Sequence, residues 1–99
     1  MVKWSVPARN DLKQIHDYIA KDSKYYARKV TQEIVAKTET LTELPEIGRI
    51  VPEISDQNIR ELIVYSYRLI YEMSGAGVGI LAIIHGRRDF NSIWDARDH

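Results

Sequence analysis

The chain reads as an α+β domain in the order β-α-α-β-β-β, a twisted antiparallel sheet with an α-helical hairpin packed on one face. Three observations lead to this reading. Apolar residues recur at helical spacing through two consecutive segments of the first half. Three strand-like apolar runs follow in the second half, parted only by short polar breaks. Between the halves, residues 45–57 hold two prolines and one glycine with no sustained period, the mark of a crossing loop.

Taken in order, Val2-Lys3-Trp4-Ser5-Val6 alternates apolar and polar residues and reads as a short strand. Pro7 then opens a helix, because proline is tolerated in a first turn. Ala8, Leu12, Ile15 and Ile19 carry its apolar stripe to about Lys21. Asp22-Ser23 supplies the break and an N-cap for a second helix running to about Leu44, with Ala27, Val30, Ile34, Leu41 and Leu44 on one side. So short a connection predicts an antiparallel pair. Pro45 ends the second helix. Strands are predicted at about Asn58 to Tyr65, Tyr67 to Met73 and Val78 to His85, with Ser74-Gly75-Ala76-Gly77 as a hairpin turn. The segment from Phe90 to His99 has room for one helical turn or an irregular tail.

Ninety-nine residues suffice for one domain over 1–99, burying roughly two-thirds of the unfolded surface. No apolar run approaches the roughly 20 residues that span a bilayer, and no signal-peptide apolar core is visible. No membrane role is expected. The absence of cysteine removes disulfide and thiolate chemistry and fits a cytoplasmic location. His16, His85 and His99 lack metal-ligand spacing, so neither a metal nor another cofactor is expected. Fourteen Lys plus Arg balance fourteen Asp plus Glu. Proteins that live on nucleic acid usually carry an excess of positive charge. Any such role here must rest on a local cluster.

The basic residues of the C-terminal half sit inside or just beyond the strands: Arg60, Arg68, Arg87 and Arg88, with His85. Arginine within a β-run is either paired with a carboxylate or presented to an anionic partner. A two-residue turn at Tyr65-Ser66 sets residue 64 opposite 67, 62 opposite 69 and 60 opposite 71. Leu62, Val64, Leu69 and Tyr71 then share the core face. Glu61, Ile63, Tyr65, Arg68, Ile70 and Glu72 share the other, which is expected to stay partly open. Arg68 either pairs with Glu61 or Glu72 or binds an anion in a concave site. His85 is either a satisfied strand-end residue or a proton-transfer group. Arg87 and Arg88 form either a solvated turn or the rim of a phosphate or carboxylate site. Trp4 and Tyr71 read as core, whereas Trp94 in a polar tail has the character of a partner anchor.

Several segments together resemble the RelE/ParE family of type II toxin–antitoxin toxins. They are Asp11-Leu12, Ile15 and Tyr18-Ile19-Ala20, then Leu44-Pro45 and Gly48-Arg49. Arg60-Glu61-Leu62, Tyr67-Arg68-Leu69-Ile70-Tyr71 and His85-Gly86-Arg87-Arg88 complete the series, which covers nearly the whole chain. The resemblance implies the β-α-α-β-β-β fold and a small cytosolic toxin neutralised by a cognate antitoxin, with which it would form a hetero-oligomer. It also implies one of two targets. RelE-like members cleave mRNA on the ribosome without a metal, through basic residues on the sheet and a tail tyrosine or histidine. ParE-like members inhibit DNA gyrase by protein contact.

Arg68 matches the arginine of the RelE pattern, and an endoribonuclease here would use Arg68, His85 and Arg88. The rest departs from that pattern. Ile59 and Glu61 stand where two lysines belong, and Phe90 and Trp94 stand about where an arginine and a tyrosine belong. An indole has no proton that titrates near neutrality. The resemblance is therefore closer to the ParE branch: a gyrase inhibitor and not an enzyme, with Arg60, Arg68, Arg87, Arg88, Phe90 and Trp94 as candidate target contacts. A ribosome-dependent mRNA endonuclease is the alternative, and a non-toxic antitoxin-binding homologue the third. In all three, the antitoxin is expected to lie across apolar surface of the hairpin and sheet edge.

Overall fold

The computed structural model describes residues 1–97. Ser5 caps the first helix, its Oγ accepting from the Ala8 amide at 3.1 Å, and Ser23 caps the second through the Tyr26 amide at 3.2 Å. These caps delimit α1 (Val6–Ala20) and α2 (Lys24–Glu39). The second helix stops short of Leu44, giving way to one tighter turn over Thr40–Thr42. Threonines explain the early stop. The Thr38 and Thr40 hydroxyls donate back to the Val35 and Lys37 carbonyls, both at 2.7 Å, in competition with the helical ladder.

The strands are β1 (Val2–Trp4), β2 (Arg49–Ile50), β3 (Ile59–Val64), β4 (Tyr67–Ser74) and β5 (Gly77–His85), in the spatial order β1-β5-β4-β3-β2. A last short helix, α3, spans Phe90–Asp95. The β3–β4 register is the one read from the sequence, with Val64 opposite Tyr67, Leu62 opposite Leu69 and Arg60 opposite Tyr71. Tyr65 accepts a left-handed φ of 55° to close that two-residue turn.

Two details differ from the expected sheet. First, β1 pairs with β5 in parallel, so the sheet is antiparallel at every pairing but one. Because β1 reaches β5 only after the helices and three other strands, no tight turn constrains its direction. Second, the short edge strand β2 lies inside the segment read as a loop.

The core facing the helices gathers Ala8, Val30, Ile34, Leu41, Val64, Leu69, Tyr71, Val78, Ile80 and Ile83. A bulge lies between the pairs Ile70–Ala82 and Tyr71–Ile80, leaving Leu81 as the extra residue. It reverses the facing parity of β5, so Val78 and Ile80 before it and Ile83 after it all point at the helices. The opposite face is not left open. Val51, Ile70, Ala82, Ile84 and Phe90 form a second apolar core, flanked by Ile54, Ile59, Ile93 and Trp94. The loop after β2 and α3 together cover it. The unbroken run Ile80-Leu81-Ala82-Ile83-Ile84 is the sequence signature of a strand buried on both faces.

The crossing loop is held from the sheet. The Tyr71 hydroxyl donates to the Pro45 carbonyl at 2.7 Å and accepts from the Gly48 amide at 2.9 Å. A Cβ at Gly48 would fall 2.6 Å from both the Glu61 carbonyl oxygen and the Tyr71 hydroxyl, so only glycine fits.

Candidate functional site

On the sheet face away from the helices, β2, β3, β4 and the loop after β2 bring four charged side chains together. Arg49 lies directly opposite Glu61, and Arg68 lies diagonally across from it, opposite Ile63. Both guanidinium groups reach Glu61, whose side chain is fully buried: Arg49 Nε donates to Oε2 at 2.6 Å and Arg68 Nε to Oε1 at 2.6 Å. The remaining edge of Arg68 is taken by Glu53 from the loop after β2. Arg68 Nη1 donates to Oε2 at 2.8 Å and Nη2 to Oε1 at 2.7 Å. The Phe90 ring closes the stack, with the guanidinium carbon 4.5 Å from its centroid. Arg68 is 13% exposed and has carboxylates on both donor edges. Hydrogen bonding from Arg68 draws the Glu53 carboxyl down to about 2, and Glu53 in turn raises the Arg68 guanidinium above its ordinary range.

A cavity of about 390 Å³ adjoins this network, lined by Arg49, Ile63, Ser66, Arg68, His85, Gly86 and Arg87. Three arginines and a histidine converge here without a lysine. Cleaving a phosphodiester requires a group to move the 2′-hydroxyl proton and cations free to meet the phosphorane. Arg68 faces two carboxylates instead, so its donors are engaged by Glu61 and Glu53 and not turned to a phosphate. His85 Nδ1 accepts from the Arg87 amide at 3.1 Å, which occupies that nitrogen as a turn acceptor. Its ring meets Tyr67 edge to face at 5.4 Å. Among the described residues no group of three or more His, Cys, Asp or Glu is arranged to hold a metal ion.

A larger groove of about 460 Å³ lies between α1 and the free edge of β5. Its apolar lining is Ile15, Ile83, Ile84 and Ile93, and its polar lining includes Tyr18, Tyr67, His85 and Arg88. Asp11 organises one end. Its carboxylate accepts the Ile83 amide at 2.9 Å and holds Arg97 in a bidentate pair at 2.7 and 2.9 Å. β1 pairs with β5 only as far as Ile80. Asp11 and Ser5, whose Oγ donates to the Leu81 carbonyl, serve the exposed edge beyond it.

The six residues singled out in the sequence thus have distinct fates. Arg60 donates to the carbonyls of Glu46, Gly48 and Gln57 and braces the crossing loop. Arg68 is the hub of the ion network, paired with Glu61 but with Glu53 in place of Glu72. Phe90, 4% exposed, is filled into the second core, and Trp94 stacks on it at 5.6 Å in a half-buried position. Arg87 and Arg88 are exposed in the turn between β5 and α3. Arg68 and Arg88 line different concavities, with His85 bordering both. Arg68, His85 and Arg88 therefore do not all line one concavity. Arg49, Glu53 and the Asp11–Arg97 pair were not legible as site residues. Glu53 lies in an aperiodic loop, and Arg97 meets Asp11 from the opposite end of the chain.

The ParE toxin of type II toxin-antitoxin system, parDE, is the family whose model matches this chain, over residues 2–90. No curated protein matches it. Among solved structures, a chain of the chromosomal ParDE TA system from P. aeruginosa is similar at 25% identity and a TM-score of 0.71. The match covers 85% of this chain and 92% of that one.

Proposed function

This chain belongs to the ParE toxin family of type II toxin–antitoxin systems, and on that footing we propose that it inhibits DNA gyrase by protein contact, without catalysis of its own. The observation that carries this reading is the saturation of Arg68 by Glu53 and Glu61. The one guanidinium that a RelE-type nuclease would direct at phosphate is bound to carboxylates, with Phe90 packed beneath it. What the surface offers a partner is the turn bearing Arg87 and Arg88, with Trp94 half-buried on α3. Exposed arginines beside an aromatic fit a protein hot spot. No described helix is long and apolar enough to cross a membrane, and the proposed site of action is the cytoplasm, where gyrase works.

As a member of a toxin–antitoxin family, the chain has a cognate antitoxin as its partner. We place that antitoxin in the groove between α1 and the β5 edge, where Ile15, Ile83 and Ile93 offer apolar anchorage beside Arg88. Changing Ile15 or Ile93 to Asp should weaken the pair by about tenfold or more. Unaltered affinity in both variants would move the antitoxin elsewhere.

Parallel assays separate the two targets. Purified protein incubated with gyrase and supercoiled DNA should accumulate cleaved DNA, while mRNA on programmed ribosomes stays intact. Cut message together with untouched gyrase would reverse the assignment.

A further inference from the structure

The end of the hairpin where α1 passes into α2 carries a cluster that neither the gyrase reading nor the antitoxin groove fully uses. Tyr18, Tyr25 and Tyr26 are 71%, 70% and 57% exposed there. Lys21 Nζ lies 5.9 Å from the Tyr18 ring centroid, and the Tyr25 and Tyr26 rings meet edge to face at 5.5 Å. Lys24, Arg28 and Lys29 are exposed beside them. Residues 18–29 thus hold four cations against one carboxylate, Asp22, in a chain whose formal charge is zero. All six lysines precede residue 38, and only Lys3 in β1 lies in the sheet.

Folding does not account for this composition. Ala27 and Val30 supply the buried side of α2 at this end. Among the described residues, none of the four cations has an ion-pair partner. The first turn of α2 contains no acidic residue, and Lys24 faces the positive end of the helix dipole, a small cost in stability. Large aromatics left in water beside unpaired cations are the components of a stacking platform with an electrostatic rim.

We propose that this end of the hairpin binds single-stranded nucleic acid, with bases stacking on the tyrosines and phosphates meeting Lys21, Lys24, Arg28 and Lys29. Exposed phenol rings favour this partner over an acidic polypeptide, which has no row of flat π faces to lay on them. They favour it over a duplex, whose bases are already stacked. The neutral chain as a whole makes the contact local and weak, governed by four charges and not by the overall field.

The test is fluorescence anisotropy of a labelled short oligothymidylate titrated with the full-length protein across a salt series. Binding should appear at low salt and weaken as salt rises, with a log–log slope of about −3 for four contacted phosphates. Tyr25→Leu with Tyr26→Leu should weaken binding about tenfold while leaving the slope in place. Lys21→Gln with Lys24→Gln should reduce the slope by about 1.4. Lys3→Gln with Lys37→Gln, the same charge change outside the cluster, should leave both affinity and slope near wild type. All three double variants alter exposed side chains, and melting temperatures equal to wild type confirm that each is folded. The proposal is overturned by no binding at low salt, by unaltered affinity without the tyrosines, or by equal losses in the control pair. It is likewise overturned if polyglutamate of matched charge displaces the oligonucleotide as well as unlabelled oligothymidylate does, which would make the surface an acidic-polypeptide site.

Discussion

Arg68 and Glu53 meet in a two-bond fork at 2.7 and 2.8 Å, while the far edge of the same guanidinium is held by the buried Glu61. Arg68 thereby joins the loop after β2 to the middle of the sheet. Removing it would leave Glu61 with only the exposed Arg49 and free the loop that covers the second core. Loss of activity in Arg68→Ala would accordingly report a disturbed fold as readily as a lost catalytic group, so target assignments need variants placed elsewhere.

Acid should release the Glu53 clamp. The folded carboxyl sits at about 2 against an ordinary 4.5, a depressed value. Its stabilisation is therefore complete above about pH 4.5 and lost as pH falls through about 2. The contribution is about 1–2 kcal/mol once screening at a 29% exposed carboxylate is allowed for. Urea unfolding of Glu53→Gln should show that deficit at pH 7, shrinking towards zero near pH 2. A deficit independent of pH would show that the pair does not titrate this way.

Glu61 and Arg49 share one ion pair but differ in burial, and their substitutions should differ accordingly. Glu61→Ala leaves Arg68, largely withdrawn from water, half-satisfied and should cost about 3 kcal/mol. Arg49→Ala removes a side chain that is 62% exposed and should cost under about 1 kcal/mol. Chemical denaturation of both variants checks the ordering, and equal losses would contradict it.

Much of the architecture is legible in the sequence because it rests on local rules. The Val64–Tyr67 register follows from strand alternation, the two helices from their stripes and caps, and the Arg68–Glu61 pair from facing parity. Non-local features are less legible. Alternation carries no information about strand direction, so the parallel β1–β5 pairing is hidden in it. Residues 51–54 and α3 are too short and aperiodic to reveal that Val51, Ile54 and Phe90 roof the second sheet face. The signal that was present is the five-residue apolar run from Ile80 to Ile84, which demands cover on both sides. Phe90, next after the charged turn, is part of that cover.

Asp11 ties α1, the β5 edge and the segment after α3 to one carboxylate. Asp11→Ala leaves the Ile83 amide without its acceptor and should cost about 2 kcal/mol. Hydrogen exchange should quicken at Ile83 more than at Val78, which keeps its bond to the Met1 carbonyl. Arg97→Ala should leave Ile83 protected while loosening the chain after α3. Equal exchange at Ile83 in both variants would remove Asp11 from that role.

The turn at Arg87 and Arg88 gives the most direct access to the mode of action, because both side chains are exposed and neither takes part in the ion network. Gyrase, supercoiled DNA and purified protein are incubated, and cleaved DNA is quantified for wild type and for Arg87→Ala with Arg88→Ala. The wild-type protein should accumulate cleaved DNA, and the double variant should need about tenfold more protein for the same yield at an unchanged melting temperature. Wild-type protein that leaves gyrase activity and DNA untouched would contradict a gyrase-directed toxin.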